Sequence, residues 1–152
     1  MEQSYINKSD RAASYALRLL RVRPQTISEI KRRLSRKGFD SEVIDQVINQ
    51  LKNLGYLNDL IFTQSFIEFC SEHRPVGRRL LSVQLLKHGV SREIIDQALT
   101  TLLSEDELAC RAVKSKFQKI KLVEREQIIN FLLRRGFSYS VANQTVKEFI
   151  SQ

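Results

Sequence analysis

The chain has 152 residues, enough for one ordinary core or a short row of stacked units, and no apolar run approaches the roughly 20 residues that a membrane span needs. Two cysteines, Cys70 and Cys110, exclude a disulfide framework and fit a reducing compartment, while a net charge of +8 suggests a polyanionic partner. The first residues show neither an apolar stretch nor a small-residue cleavage site, so no secretory leader is expected and the protein is expected in the cytoplasm.

In chain order, residues 1–8 are expected to be flexible. A first helix is expected from Ser9 to Val22, with Ala13, Ala16, Leu17 and Leu20 on one face. It stops ahead of Pro24, because the residue before a proline avoids helical angles. Thr26-Ile27-Ser28-Glu29 reads as a capping box that opens a second helix, closed at Gly38. Ile27, Ile30 and Leu34 form its apolar stripe, and Arg32 and Arg36 project from the opposite side. Asp40 or Ser41 caps a third helix striped by Val43, Val47, Leu51 and Leu54 and ended by Gly55. Asn58 or Asp59 caps a fourth, apolar at Phe62, Phe66, Ile67 and Phe69 and broken by Arg74-Pro75-Val76-Gly77. Helices five and six are expected over Arg78–His88 and Arg92–Leu103. Ser104-Glu105-Asp106-Glu107 is a second capping box, opening helix seven, and Lys114, Lys116, Lys119 and Lys121 crowd the end of that helix, where cations complement the dipole. Helices eight and nine are expected over Val123–Arg135 and Tyr139–Ile150. With no alternating strand pattern of any length, the class is all-α.

Three stretches share one shape: Leu34–Ile48, Leu85–Leu99 and Leu132–Val146. Each has a leucine, three residues rich in basic groups, a glycine, an apolar residue, a polar trio and then apolar pairs at helical spacing. The glycines are Gly38, Gly89 and Gly136, separated by 51 and 47 residues, a period typical of helical repeats. The expected organisation is three tandem three-helix repeats, 9–57, 58–103 and 104–152, stacked into an elongated, curved body. Hinges are expected near Tyr56–Asp59 and Leu103–Asp106.

The charge is uneven: +5 over residues 1–57, −1 over 58–105 and +4 over 106–152. Basic ends around a neutral middle suit an extended polyanion touched at more than one place. Arg32-Arg33 with Arg36-Lys37, Arg78-Arg79 and Arg134-Arg135 fall on the middle helix of each repeat. Partnership with helix dipoles accounts for Lys37, Lys87 and Arg135. A phosphate-facing stripe is expected from Arg32, Arg33, Arg36, Arg78, Arg79 and Arg134, joined by Lys116 and Lys119, since the guanidinium fork takes phosphate oxygens in pairs.

No phosphate loop, dinucleotide turn or His-Glu-x-x-His occurs, so no enzyme activity and no cofactor is expected. Cys70 and His73 have no second ligand pair nearby, so no metal site is expected. His88 has a sufficient structural role beside a helix C-terminus. A helix-turn-helix reader of specific DNA would need a basic or polar second helix, but Glu42, Asp45, Glu93 and Asp96 make these helices acidic-leaning. Phe62, Phe66, Phe69, Phe117, Phe131 and Phe149 fall in apolar stripes, and Phe39, Tyr56 and Phe137 follow turn glycines, where an apolar residue packs back.

Gly55-Tyr56-Leu57-Asn58-Asp59-x-x-Phe62, then Arg74-Pro75-x-Gly77, then Leu85-x-x-x-Gly89-Val90-Ser91, resembles the RecX family of recombination regulators. The resemblance spans nearly the whole chain and is strongest over residues 14–103; Asn58 and Thr63 are mild departures from the residues common there. It implies three tandem three-helix units and a non-enzymatic role: binding the RecA recombinase and its filament on single-stranded DNA, with lowered ATP hydrolysis, strand exchange and co-protease activity. Direct DNA contact is a further option, a monomer is expected, and a helical adaptor or a general DNA-binding protein acting apart from RecA remains the alternative. Tyr56, Asp59, Arg74, Pro75, Gly77 and Gly89 match the family motif, and the first five are expected to shape the second unit more than to touch a partner.

Overall fold

The computed structural model describes residues 1–101, 104–119 and 122–151, apart from the side chains of residues 2 and 4–6. Among these residues the chain forms nine helices and no strand. They are α1 Glu2–Val22, α2 Ile27–Lys37, α3 Ser41–Asn53, α4 Asp59–His73, α5 Arg78–Lys87, α6 Arg92–Thr100, α7 Glu105–Phe117, α8 Arg125–Arg134 and α9 Tyr139–Ile150.

Each consecutive trio closes on a core of its own. Ala12, Ala16, Ile30, Leu34, Val43 and Val47 fill the first, Ile67, Leu81, Leu85 and Ile95 the second, and Leu108, Ala112, Ile128 and Leu132 the third. Within a trio the first and middle helices both pack on the third. The exposed surface is 10269 Å², against roughly 8,000 Å² for a compact monomer of this mass, so the body is elongated.

The repeated glycine has a physical reason. At Gly38, Gly89 and Gly136 the backbone turns left-handed, with φ of 96°, 81° and 83°. The amide after each glycine bonds the leucine carbonyl five residues back: Phe39 to Leu34, Val90 to Leu85 and Phe137 to Leu132. That arrangement satisfies the orphan carbonyls of α2, α5 and α8 and turns each into the next helix.

Several local expectations need correction. α1 begins at Glu2, well ahead of Ser9. α5 ends at Lys87, one residue short of His88, and α6 at Thr100, with the expected end at Leu103 outside the described residues. α8 spans only Arg125–Arg134. Asp40 precedes α3 without a side-chain cap bond, and Ser104 accepts from the Glu107 amide without the reciprocal bond. Phe69 and Tyr56, expected to pack inward, are 60% and 58% exposed; Leu57 goes inward in place of Tyr56.

The trios meet end to end through their middle helices. The C-terminal end of α8 abuts the N-terminal end of α5: Gly77 N–H donates to the Arg135 carbonyl at 2.8 Å, and Arg135 Nη1 donates to the Pro75 carbonyl at 3.1 Å. A Cβ on Gly77 would overlap the Gly136 carbonyl, so only glycine allows this approach. The C-terminal end of α5 meets the N-terminal end of α2 in the same way, here through side chains. Thr26 Oγ1 donates to the His88 carbonyl at 2.5 Å, and His88 Nδ1 lies 2.9 Å from Glu29 Oε1. An ionised carboxylate only accepts, so the ring nitrogen donates. Asp59 Oδ1 adds a bond from the Ile27 amide at 2.9 Å. The three middle helices thus run head to tail, with their dipoles in one sense.

Candidate polyanion interface

The expected basic residues separate into two groups. Arg32, Arg33 and Arg36 lie exposed on the second half of α2. The core face of that helix holds Ile30 and Leu34, so helical spacing sends the arginines outward. None of the three has a carboxylate partner among the described residues: the nearby acids Asp40 and Asp45 pair with Lys8 at 3.7 Å and Lys31 at 3.5 Å.

The second group gathers where α8 meets α5. Arg78 and Arg79 are the first residues of α5, directly after the Gly77 that bonds Arg135, and Arg134 precedes that same residue. Lys116 belongs here as well, because its Nζ lies 5.2 Å from the Phe131 ring centroid while the Arg135 guanidinium lies 5.0 Å from it. Arg78, Arg79, Lys116 and Arg134 are exposed and carry no ion pair among the described residues. Burial, and then the charge of Arg74, lower the Arg135 pKa, so cations crowd one another at this joint. A concentration of unpaired positive charge is a place where an anion binds. Lys119 is exposed beyond α7, with nothing that ties it to either group; Lys121 lies outside the described residues.

Arg135 is the residue that sequence reading undervalued. It was legible as the counterpart of His88, since both stand immediately before a repeat glycine. His88 itself does more than complement a dipole, because it bridges two trios. Burial works to raise the Glu29 pKa, but bonds from His88, the Thr26 amide and Arg23 outweigh it and hold that pKa below the ordinary value. Burial raises the Asp59 pKa, over the opposing bond from the Ile27 amide. Burial also pushes both thiols up, so neither cysteine is a ready thiolate.

The motif residues sit at the joints more than on an open surface. Asp59 and Gly89 face the first trio, Gly89 against Ser28; Pro75 and Gly77 face the third. Arg74 follows α4 and lines a groove of about 360 Å³ with Phe66, Phe69, Gln84, Lys87 and His88. Tyr56 stands on the surface, 58% exposed. Among the described residues no group of three or more His, Cys, Asp or Glu could hold a metal, and no helix is long and apolar enough to cross a membrane.

Comparison with known proteins agrees with this architecture. Residues 12–51 match the family model of the RecX first three-helix domain and residues 58–99 that of the second. Regulatory protein RecX of Chlorobaculum tepidum is 32% identical, over 92% of this chain and 89% of its own length. Regulatory protein RecX of Mycobacterium sp. strain KMS is 28% identical, over 92% and 82%. The crystal structure of RecX from Lactobacillus salivarius superposes with a TM-score of 0.86 at 20% identity, covering 97% of this chain and 99% of that one, a likeness of fold.

Proposed function

The chain belongs to the RecX family of regulatory proteins, and on that premise we propose that it is a negative regulator of the RecA recombinase, binding RecA and its filament on single-stranded DNA. Bound there it limits filament growth and lowers ATP hydrolysis, strand exchange and co-protease activity, with no catalysis and no cofactor of its own. It acts as a monomer in the cytoplasm, and the repeats 9–57, 58–103 and 104–152 serve as successive contact modules.

Two separated groups of unpaired cations on an elongated body carry this reading. The ten residues of α5 put roughly 15 Å of helix between them. A filament offers the same acidic or phosphate features repeatedly along its length, so one chain engages two of them and weak contacts multiply. Arg32, Arg33 and Arg36 make one contact; Arg78, Arg79, Lys116 and Arg134 make the other, with Lys119 nearby along the chain.

The test is binding of labelled chain to preformed RecA filaments and to bare single-stranded DNA across a salt series. Tighter binding to the filament, weakened by Arg32→Glu with Arg36→Glu and separately by Arg78→Glu with Arg79→Glu, is expected. Equal binding to bare DNA would favour a general DNA-binding protein, and binding to neither would favour an adaptor for another acidic partner.

A further inference from the structure

The residue before the repeat glycine does the same three things at both joints. Its carbonyl accepts a donor from the start of the neighbouring helix: Thr26 Oγ1 on His88, and the Gly77 amide on Arg135. Its side chain rests on an aromatic ring of its own trio and reaches across. The His88 ring lies 5.5 Å from Phe62 and 5.4 Å from Phe66 on its way to Glu29, and Arg135 lies 5.0 Å from Phe131 on its way to Pro75. The glycine then presses against the neighbour's first turn: a Cβ on Gly89 would overlap Ser28, and one on Gly136 would come 2.6 Å from Leu80 Cβ.

Lys37 and Gly38 repeat this design at the end of α2, where among the described residues no further trio packs against it. Lys37 Nζ lies 5.4 Å from the Tyr15 ring, as His88 lies against Phe66. Among the described residues no carboxylate pairs with it and no donor reaches its carbonyl. Among the described residues nothing lies within 4 Å of where a Gly38 Cβ would be. Beside it is a groove of about 280 Å³ whose lining includes Arg11, Arg18, Tyr15, Lys37 and Phe39, with Asp10 as its one acid.

We infer that the end of α2 is a third socket of the same kind, fitted to the first turn of a helix from a different protein, with a hydrogen-bond donor at its cap and a carboxylate three residues on. The occupied socket at His88 defines that chemistry, since it holds Thr26 and Glu29 in those two positions. The open socket is lined by three cations, Arg11, Arg18 and Lys37, against one acid, Asp10, whereas the occupied one presents His88 between two phenylalanines, so the demand for a carboxylate is greater. A second copy of this chain is a poorer occupant. Its net charge is +8, and the start of its α8, whose cap residue Glu124 makes no side-chain cap bond, places Arg125 beside Glu124 and Glu126. The socket uses none of the arginines assigned to phosphate, although Arg36 precedes Lys37 on α2, so failure of either reading leaves the other standing.

The test is a titration of the isotope-labelled full chain, followed by amide resonances, with a synthetic helical peptide. The peptide opens Thr-Ile-Ser-Glu and continues in an alanine-rich helix of about 20 residues, long enough to be helical alone. Saturable shifts centred on Lys37, Gly38 and Tyr15 are expected. Binding should weaken about tenfold when Thr and Glu of the peptide are replaced by Ala, and likewise in Lys37→Glu or Arg18→Glu protein whose remaining spectrum is unchanged, the worth of one charge-assisted bond. No shift at Gly38, or equal shifts with the alanine peptide, would overturn the socket. Shifts at Gly38 that grow with protein concentration alone would overturn the choice of a foreign helix in favour of a second copy.

Discussion

The two joints solve one problem by different means. Between the second and third trios the closest contact is backbone on backbone, with Gly77 against Gly136 and the Arg135 guanidinium on a carbonyl, and Glu105 Oε1 accepts from the Arg78 amide at 2.8 Å. Between the first and second trios it is made by side chains: Thr26, Glu29, Asp59 and His88. A joint held by close backbone packing depends mainly on the absence of atoms. A joint built on a buried carboxylate depends on the protonation of that carboxylate. The difference teaches that one repeat plan can be coupled mainly by steric fit at one place and mainly by a buried side-chain pair at another.

The largest expected effect tests the steric joint. Gly136→Ala places a side chain on a left-handed residue and drives it into Leu80, whereas Gly38→Ala meets only open space. Left-handed strain alone costs about 1 kcal/mol, and overpacking adds about 1–3 kcal/mol. Denaturant unfolding should therefore show Gly136→Ala as the costlier change by that second amount. Equal losses would mean that the joint resists nothing. Gly77→Ala, with no left-handed strain, should isolate the overpacking cost by the same assay.

The side-chain joint is tested next. Glu29→Gln keeps the shape and removes the charge that His88 and Arg23 face, at an expected cost of about 1–3 kcal/mol. Acid should do the same to the unaltered protein. Glu29 has a folded pKa below its ordinary 4.5, so its contribution is present above that pH and is lost as the pH falls through the folded value. Asp59 is shifted the other way, so its protonation on acidification favours the folded state and offsets part of the loss. Stability followed below pH 4.5 should fall less steeply in Glu29→Gln than in the unaltered chain.

The smallest effect on stability is expected at the arginines. Arg32→Glu with Arg36→Glu alters exposed side chains without partners among the described residues, and should change unfolding by no more than about 0.5 kcal/mol. The same pair should flatten the salt dependence of binding by roughly one unit of slope for each phosphate that is no longer neutralised. Loss of folding would show that these residues belong to the joints' side of the comparison.

Much of this was legible in the sequence. The class, the nine helices and the repeat glycines follow from apolar spacing and from the one residue that tolerates a left-handed turn. The joints were not legible, because they link residues such as Glu29 and His88 that are far apart in the chain and lie on ordinary helix ends. Gly77 read as a loop glycine, and only the approach of Gly136 reveals why it has no side chain. Phe69 misled because a helix that is apolar on several faces does not say which face stays outside. The arginines were visible as clusters, but their division into an α2 group and a joint group required the end-to-end stacking.

The most direct measurement of the regulatory account is RecA's ATP hydrolysis on single-stranded DNA while this protein is titrated at physiological salt. Inhibition by the unaltered chain, at amounts well below the number of RecA subunits if filament ends are blocked and near one per several subunits if it lies along the filament, is the expected result. No inhibition by demonstrably folded protein against its cognate RecA would contradict the account.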